Sequence, residues 1–326
     1  MRYFVTGGTG FVGSWVAKQL TDAGETVVCL VRKTSNLRWL EGLPVEYCYG
    51  SLNDPDSLRE AIAKSDVILH IAGVTKALTP DEFYRGNVQA TKNLMEVTLA
   101  ENPGIKKVVF VGSQAACGPS KPGESKTEDA PANPLTDYGK SKLQADEVAQ
   151  SYVGKLPVTI LRPPTVYGPR DTDVFEVFKN VKAGVNLKVG SHDPVVSIIH
   201  VFDLARGIIA AANDDRSTGE IFNICNPQPC EWSNVIDILK TAMNKSVMNI
   251  PVPYAVAYGF AGIMELGSKI AGKPSILNRQ KMIEVNAGYW VFSAEKIRET
   301  LGFVTEISLE KGLTETYSWY KEHGWL

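Results

Sequence analysis

The chain has 326 residues, 44% apolar and 21% charged, with a formal net charge of −2. That length can bury a sizeable core in one large or two closely joined units, and the near-neutral balance argues against a nucleic-acid partner. Five cysteines without a C-x-x-C read as reduced thiols, and four histidines with no carboxylates at ligand spacing argue against a structural metal.

The chain opens on a strand at 3–6 that runs into TGGTGFVG (6–13). Gly7, Gly10 and Gly13 stand three apart, ahead of a helix marked by Val12, Trp15, Val16 and Leu20 at helical spacing. Gly7 allows a tight turn, Gly10 a close backbone approach, and Gly13 close packing of helix on strand. The helix N-terminus then offers free N–H groups and partial positive charge to a pyrophosphate. A dinucleotide site is the reading proposed, with an ordinary strand–loop–helix turn as the plainer alternative. The spacing G-x-x-G-x-x-G also differs from the usual G-x-G-x-x-G fingerprint.

Further strands are predicted at 26–31, 45–49, 66–73, 106–113 and 158–163, and helices at 55–63, with Asp54 as N-cap, at 87–101 and at 138–152. This alternation predicts an α/β fold, a doubly wound parallel sheet of the Rossmann type. The dinucleotide-binding unit would span 1–165, with later segments near 196–225 returning to it. A smaller substrate-binding region would occupy most of 166–326. The loop 119–129 is polar, rich in Pro and Gly, and expected to be mobile. The Pro/Gly-rich stretch 163–172 marks the boundary, 220–226 reads as a strand rejoining the sheet, and 309–324 as a closing helix. The longest apolar run, YAVAYGFAGIM (254–264), is too short to cross a bilayer. It reads as a buried core helix, or else as a lid over an apolar pocket. Only Met1 and Arg2 precede the first strand, so no leader is expected and the setting is read as cytoplasmic.

Tyr138 and Lys142 are four apart and share a helix face. A nearby ammonium favours a phenolate, so the phenol is expected to titrate lower than usual and to move a proton near neutral pH. An oxidised nicotinamide would add a second positive charge, and Lys142 could also hold its ribose. Ser113 follows the fifth strand, at the carboxyl edge where such sheets bind ligands.

With TGGTGFVG, HIAG (70–73), NVQATKNL (87–94), VFVGS (109–113), YGKSK (138–142), LRPPTVYGP (161–169) and IIHVFDLARG (198–207) in this order, the chain resembles the extended short-chain dehydrogenase/reductase, or NAD-dependent epimerase/dehydratase, family over essentially its whole length. The C-terminal part resembles bacterial members related to 3β-hydroxysteroid dehydrogenases and dihydroflavonol reductases. The resemblance implies hydride transfer between nicotinamide C4 and a ketone or secondary alcohol, with Ser113, Tyr138 and Lys142 as catalytic residues. It implies cofactor contacts at Gly7, Thr9, Gly10, Phe11, Val12, Gly13, Ile71, Ala72, Gly73, Val111, Pro163, Thr165 and Val166, and at Asn87, for which a helix N-cap is the competing role. Substrate contacts are expected at Gln114, Thr165 and Tyr167, with Cys117 nearby. His70 and His200 read as structural, and Asp203 as a cap of the helix after it. Family members often dimerise through helices matching 87–101 and 138–152, which implies a homodimer by a four-helix contact.

Val31 stands where NAD-dependent members usually carry Asp, and Arg32 and Lys33 follow it. Two cations suit a 2′-phosphate, so NADP(H) is preferred over NAD(H); a solvated basic turn is the alternative. Ser51 replaces the family's adenine-contacting Asp, with Leu52 supplying backbone. The stretch before HVFD lacks the Arg with which nucleotide-sugar epimerases hold a diphosphate. A ketone reductase acting on a lipid-like, sugar-linked or polycyclic small molecule is therefore the leading reading. A nucleotide-sugar epimerase or dehydratase comes second, and a non-catalytic NADP-binding regulator third.

Overall fold

The computed structural model describes residues 1–275 and 277–326. In chain order the first half holds β1 (Arg2–Thr6), α1 (Phe11–Asp22), β2 (Thr26–Val31), β3 (Val45–Tyr49), α2 (Arg59–Ala63), β4 (Val67–His70), α3 (Pro80–Phe83), α4 (Ala90–Glu101), β5 (Lys107–Val111), α5 (Asp137–Gln150) and β6 (Val158–Arg162). Next come β7 (Thr165–Tyr167), α6 (Phe175–Lys182), β8 (Val185–Val189), β9 (Val195–Val196), β10 (Ile198–His200), α7 (Val201–Ala212) and β11 (Ile221–Asn223). The chain closes with β12 (Cys230–Glu231), α8 (Trp232–Met243), β13 (Met248–Val252), α9 (Tyr254–Ala271), α10 (Arg279–Ala287), β14 (Tyr289–Trp290), α11 (Glu295–Leu301) and α12 (Leu309–Glu322).

Seven strands form one parallel sheet in the order β3-β2-β1-β4-β5-β6-β11. Its inner strands are apolar on both faces because helices cover both. Tyr3 and Val5 of β1 join a cluster with Leu20 of α1 and Leu204 and Ile208 of α7. Phe4, between them, points the other way, to Leu94 of α4 and Ala145 of α5. Each such buried side chain contributes about 1.5–3 kcal/mol. The strand predicted at 220–226 does rejoin the sheet, as β11 beside β6. A further segment returns as well: Ile297 of α11 and Phe303 also enter the first cluster. Phe178, Leu239, Leu313 and Tyr320 form a separate cluster beneath α6, α8 and α12.

Four expectations are corrected. Asp54 places no side-chain cap on the turn Pro55–Leu58 that precedes α2. The helix predicted from 87 starts as a π-helical turn, Tyr84–Gln89, so Asn87 is not an N-cap. The loop 119–129 is tied down: Ser120 donates its amide to Tyr289 O at 3.0 Å, Lys126 exchanges backbone bonds with Val291 and Ser293, and Glu128 accepts the Asn223 amide at 2.7 Å. The apolar run from 254 is not a core helix. Within α9 only Ala257 and Ala261 are buried, while Phe260 and Ile263 are 55% and 68% exposed. Ala257, Ala261 and the half-buried Tyr254 and Tyr258 face inward, and Phe260 with the large aliphatic residues faces outward.

Candidate active site

The glycine turn is built by contact. Gly7 sits at φ +75°, in the left-handed region, and a Cβ there would lie 2.7 Å from Ala72 N. A Cβ on Gly13 would lie 2.1 Å from Gly7 O, so α1 rests directly on the turn. Gly10, exposed, donates its amide to Gly7 O at 2.9 Å. No side chain caps α1 and its first turn holds no acidic residue. Its leading amides, flanked by Thr9, Phe11 and Val12, are left for an anion.

β4 and β5 end earlier than their apolar runs suggest. This leaves Ile71–Gly73 and Ser113 beyond the sheet, at the carboxyl edge next to the glycine turn. Ala72 donates its amide to Thr6 Oγ1 at 3.2 Å, and Thr6 Oγ1 lies 2.8 Å from His70 Nδ1. His70 Nε2 lies 3.0 Å from Thr91 Oγ1, which donates to Asn87 O at 2.7 Å. Since that hydroxyl proton is already used, Nε2 must carry the ring proton and Thr6 must donate to Nδ1. Burial holds this imidazole neutral down to about pH 3, which makes it structural, as expected. Asn87 grips the Val74 backbone at 2.7 and 3.0 Å and donates to Ser141 Oγ at 2.9 Å.

Thr136 caps α5 by accepting from Gly139 N at 3.1 Å, and so aims Tyr138 and Lys142 along the inner face. Lys142 donates from Nζ to Val111 O at 2.8 Å and sits 4.6 Å above the Phe110 ring. A Cβ on Gly73 would lie 3.9 Å from that Nζ, so the ammonium borders the β4 loop. Burial lowers Lys142 to about 8, while the Asp146 carboxylate one turn along opposes the fall. Asp146, itself pushed up by burial, pairs with Arg162 of β6 at 2.7 Å.

The expected acidic phenol is corrected. Burial pushes Tyr138 up to about 12, and the carboxylates of Glu284, Asp146 and Asp173 add to it; the bond with the Ser113 hydroxyl acts the other way. The Lys142 ammonium is turned to the Val111 carbonyl. Ser113 Oγ also accepts from Ala115 N at 3.2 Å, at the head of a short turn. Lys142 Nζ is held on Val111 O, two residues before Ser113, and Tyr138 stands one turn ahead of Lys142 on α5, so the backbone brings the three residues to the carboxyl edge. A phenol so raised stays protonated across the neutral range, and further positive charge nearby would favour its ionised form.

The remaining sites divide. Gln114 is buried with neither end of its carboxamide hydrogen-bonded among the described residues, while its amide holds Pro163 O at 2.9 Å. Thr165 is exposed and Val166 half-buried. Tyr167 is corrected: it is 1% exposed in the C-terminal cluster, its ring 5.2 Å from that of His200, so it packs the core and lines no open cleft. Cys117 likewise packs against Cys225 and Phe292. His200 caps α7 by accepting from Phe202 N at 3.3 Å. Asp203 does not cap α7; it accepts the amides of Glu306 and Ile307 at 3.1 and 2.9 Å and fastens the chain ahead of α12. Arg32 and Lys33 are exposed just past β2 and have no ion-pair partner among the described residues. Ser51 Oγ accepts from Asn53 N at 3.2 Å, and Leu52 O accepts from Asn93 at 2.7 Å. Asp146 was missed from the sequence, although its spacing of four from Lys142 and eight from Tyr138 puts all three on one face. Arg162 and Thr6 carried no such signal.

The uncapped helix head, the glycines that admit no Cβ and the ammonium at Gly73 together fit a dinucleotide. A profile of the NAD dependent epimerase/dehydratase family matches residues 3–225. A ceramide reductase of Caulobacter vibrioides is 26% identical over 99% of this chain and 95% of its own. The N-acetyl-alpha-D-glucosaminyl-diphospho-ditrans,octacis-undecaprenol 4-epimerase of Escherichia coli O157:H7 is 26% identical over 84% of this chain and 83% of its own. The solved UDP-glucose 4-epimerase of Thermotoga maritima is 20% identical, with a TM-score of 0.80 over 99% of each chain, which shows the shared fold.

Proposed function

The chain belongs to the NAD-dependent epimerase/dehydratase family, and from that premise we propose that it is an NADP(H)-dependent reductase of a ketone carried on a lipid-like molecule. One placement supports the reading: Lys142 is anchored by Nζ on Val111 O at the end of β5, with Tyr138 one turn ahead of it on α5 and Ser113 two residues past that carbonyl. When bound, the dinucleotide supplies the hydride that joins the carbonyl carbon. Ser113 donates a hydrogen bond to the carbonyl oxygen, and Tyr138 gives that oxygen its proton, so the product is a secondary alcohol. Lys142 holds the ribose and steadies the phenolate that remains. Arg32 and Lys33 receive the 2′-phosphate. The unpaired Gln114 carboxamide meets a polar group of the substrate. The ceramide reductase and the undecaprenol-linked epimerase, named for lipid substrates, support an apolar group on the substrate here. Five free thiols suit a cytoplasmic setting, and α4 with α5 is the face proposed for a homodimer.

Steady NADPH oxidation with ceramide-like or other apolar ketones is expected, and its loss in Tyr138→Phe at unchanged NADPH affinity. Turnover that survives Tyr138→Phe overturns this assignment. The undecaprenol-linked relative favours a second reading, a 4-epimerase of diphospho-sugars. It requires cofactor retained through purification and interconversion of sugar epimers without net NADPH use. Cofactor binding with no turnover on either panel would leave the regulator reading.

A further inference from the structure

The helix α9 presents its large side chains to solvent. Val256, Phe260, Ile263, Met264, Leu266 and Ile270 are 41–83% exposed. At 100° per residue these six fall within an arc of about 160°, with only Gly259, Gly267 and Ala271 between them and no charge. The opposite side carries Tyr254, Ala257, Tyr258, Ala261 and Glu265, and packs against α10. The helix therefore turns two alanines and two half-buried tyrosines to the protein, and its aliphatic stripe with Phe260 has no cover among the described residues.

We infer that α9 is a docking helix that lays this stripe on an anionic phospholipid bilayer. The inference stands apart from the proposed reaction. Charge points to the occupant. The hairpin of α9 and α10 carries Lys269, Lys273, Arg279 and Lys281 against Glu265 and Glu284, a positive segment in a chain of net −2. Lys269 and Arg279 share Glu265, and Lys281 pairs with Glu284, which leaves Lys273 at the helix end with no carboxylate partner among the described residues. An apolar face edged by free cation suits a surface of acyl chains below phosphate headgroups. The helix lies on the bilayer and does not cross it, since no described helix is long and apolar enough to span.

The position of the hairpin gives docking a purpose. Gln280 of α10 accepts the Asp137 amide at 2.7 Å and donates to its carboxylate at 2.6 Å, and Glu284 accepts from Thr136 at 3.1 Å. Both contacts fall on the residues just ahead of Tyr138. Through α10 the docked helix is joined to the edge of the site ahead of Tyr138, which holds that edge about one helix layer from the bilayer.

Flotation of the full chain with vesicles of phosphatidylglycerol and phosphatidylethanolamine tests this. The protein is expected to float, to float less on phosphatidylcholine alone, and to lose about tenfold or more in partition with Phe260→Glu plus Ile263→Glu. Both positions are exposed, so the melting temperature is expected to hold; if it falls, Ile270→Ser, at an 83% exposed position, reads the same loss. The proposal is overturned if the wild type does not float, or if the substituted chains float equally. It is overturned too if light scattering shows a dimer that these substitutions split, which would make α9 a self-interface. None of these readouts depends on turnover.

Discussion

Lys142 is a buried cation whose charge the proposed chemistry needs. Burial brings it to about 8 from an ordinary 10.5, so the ammonium is present below pH 8 and fades above it. Tyr138, pushed up to about 12, stays protonated across the neutral range and can donate throughout. NADPH-dependent reduction is therefore expected to hold from neutral pH up to about 8 and then to decline. Lys142→Arg, whose charge does not titrate there, moves that limb upward if it keeps activity; a limb unmoved in Lys142→Arg assigns the titration elsewhere. Arg32 offers a second test. It is exposed and makes no ion pair, so Arg32→Ala leaves the fold intact and removes a charge-assisted bond of about 1.5–3 kcal/mol to a 2′-phosphate. Calorimetry is expected to show NADP weakened at least tenfold, with NAD unchanged. Equal loss for both cofactors would refute the NADP assignment.

Among the elements, α1 is held most tightly to its turn. Gly13→Ala drives a Cβ against the Gly7 carbonyl, so α1 must lift from β1 or the turn must open. Either change is expected to abolish dinucleotide binding and to destabilise the chain, read by titration and by melting. Retained binding would mean that the turn is softer than its contacts suggest. Turn and helix were both legible in the sequence, because glycine spacing and apolar period report backbone constraints directly. β2 and β3 were legible to the residue for the same reason. The ends of β4 and β5 were not, since an apolar run continues past the point where hydrogen bonding to the neighbouring strand stops. Spacing announced Tyr138 and Lys142 together, yet the direction of the phenol's shift was misjudged. Charge pairs can be read from a sequence, but desolvation depends on the packed surroundings. The apolar period of α9 was visible too, but period alone does not say which face turns inward. Tyr167 and Asp203 lie in recognisable motifs, and only the packing of α12 against them shows that they serve the core.

At the scale of the molecule, acid acts through a few buried groups. His70 is held neutral down to about pH 3 and His200 down to about 4, whereas both would take a proton near 6.5 in the unfolded chain. Between those limits the unfolded state binds more protons, so stability falls as pH drops below 6.5. Asp171, pushed up to about 6, works the other way from 6 towards 3.8, because the folded chain protonates first. Asp146 and Glu128, also raised by burial, act with Asp171 and offset part of the fall in melting temperature that the two histidines impose between pH 7 and 4.5. His200→Asn, which keeps an oxygen to cap α7, is expected to flatten that fall; a slope unchanged in that variant excludes His200 as its source. The hydrogen bonds running from Ala72 through Thr6, His70 and Thr91 to Asn87 have a further consequence. Every donor in the run points the same way, so no member can reverse alone. The two walls of the cleft are yoked by this one-way string, and disturbing Thr91 by itself unsettles both.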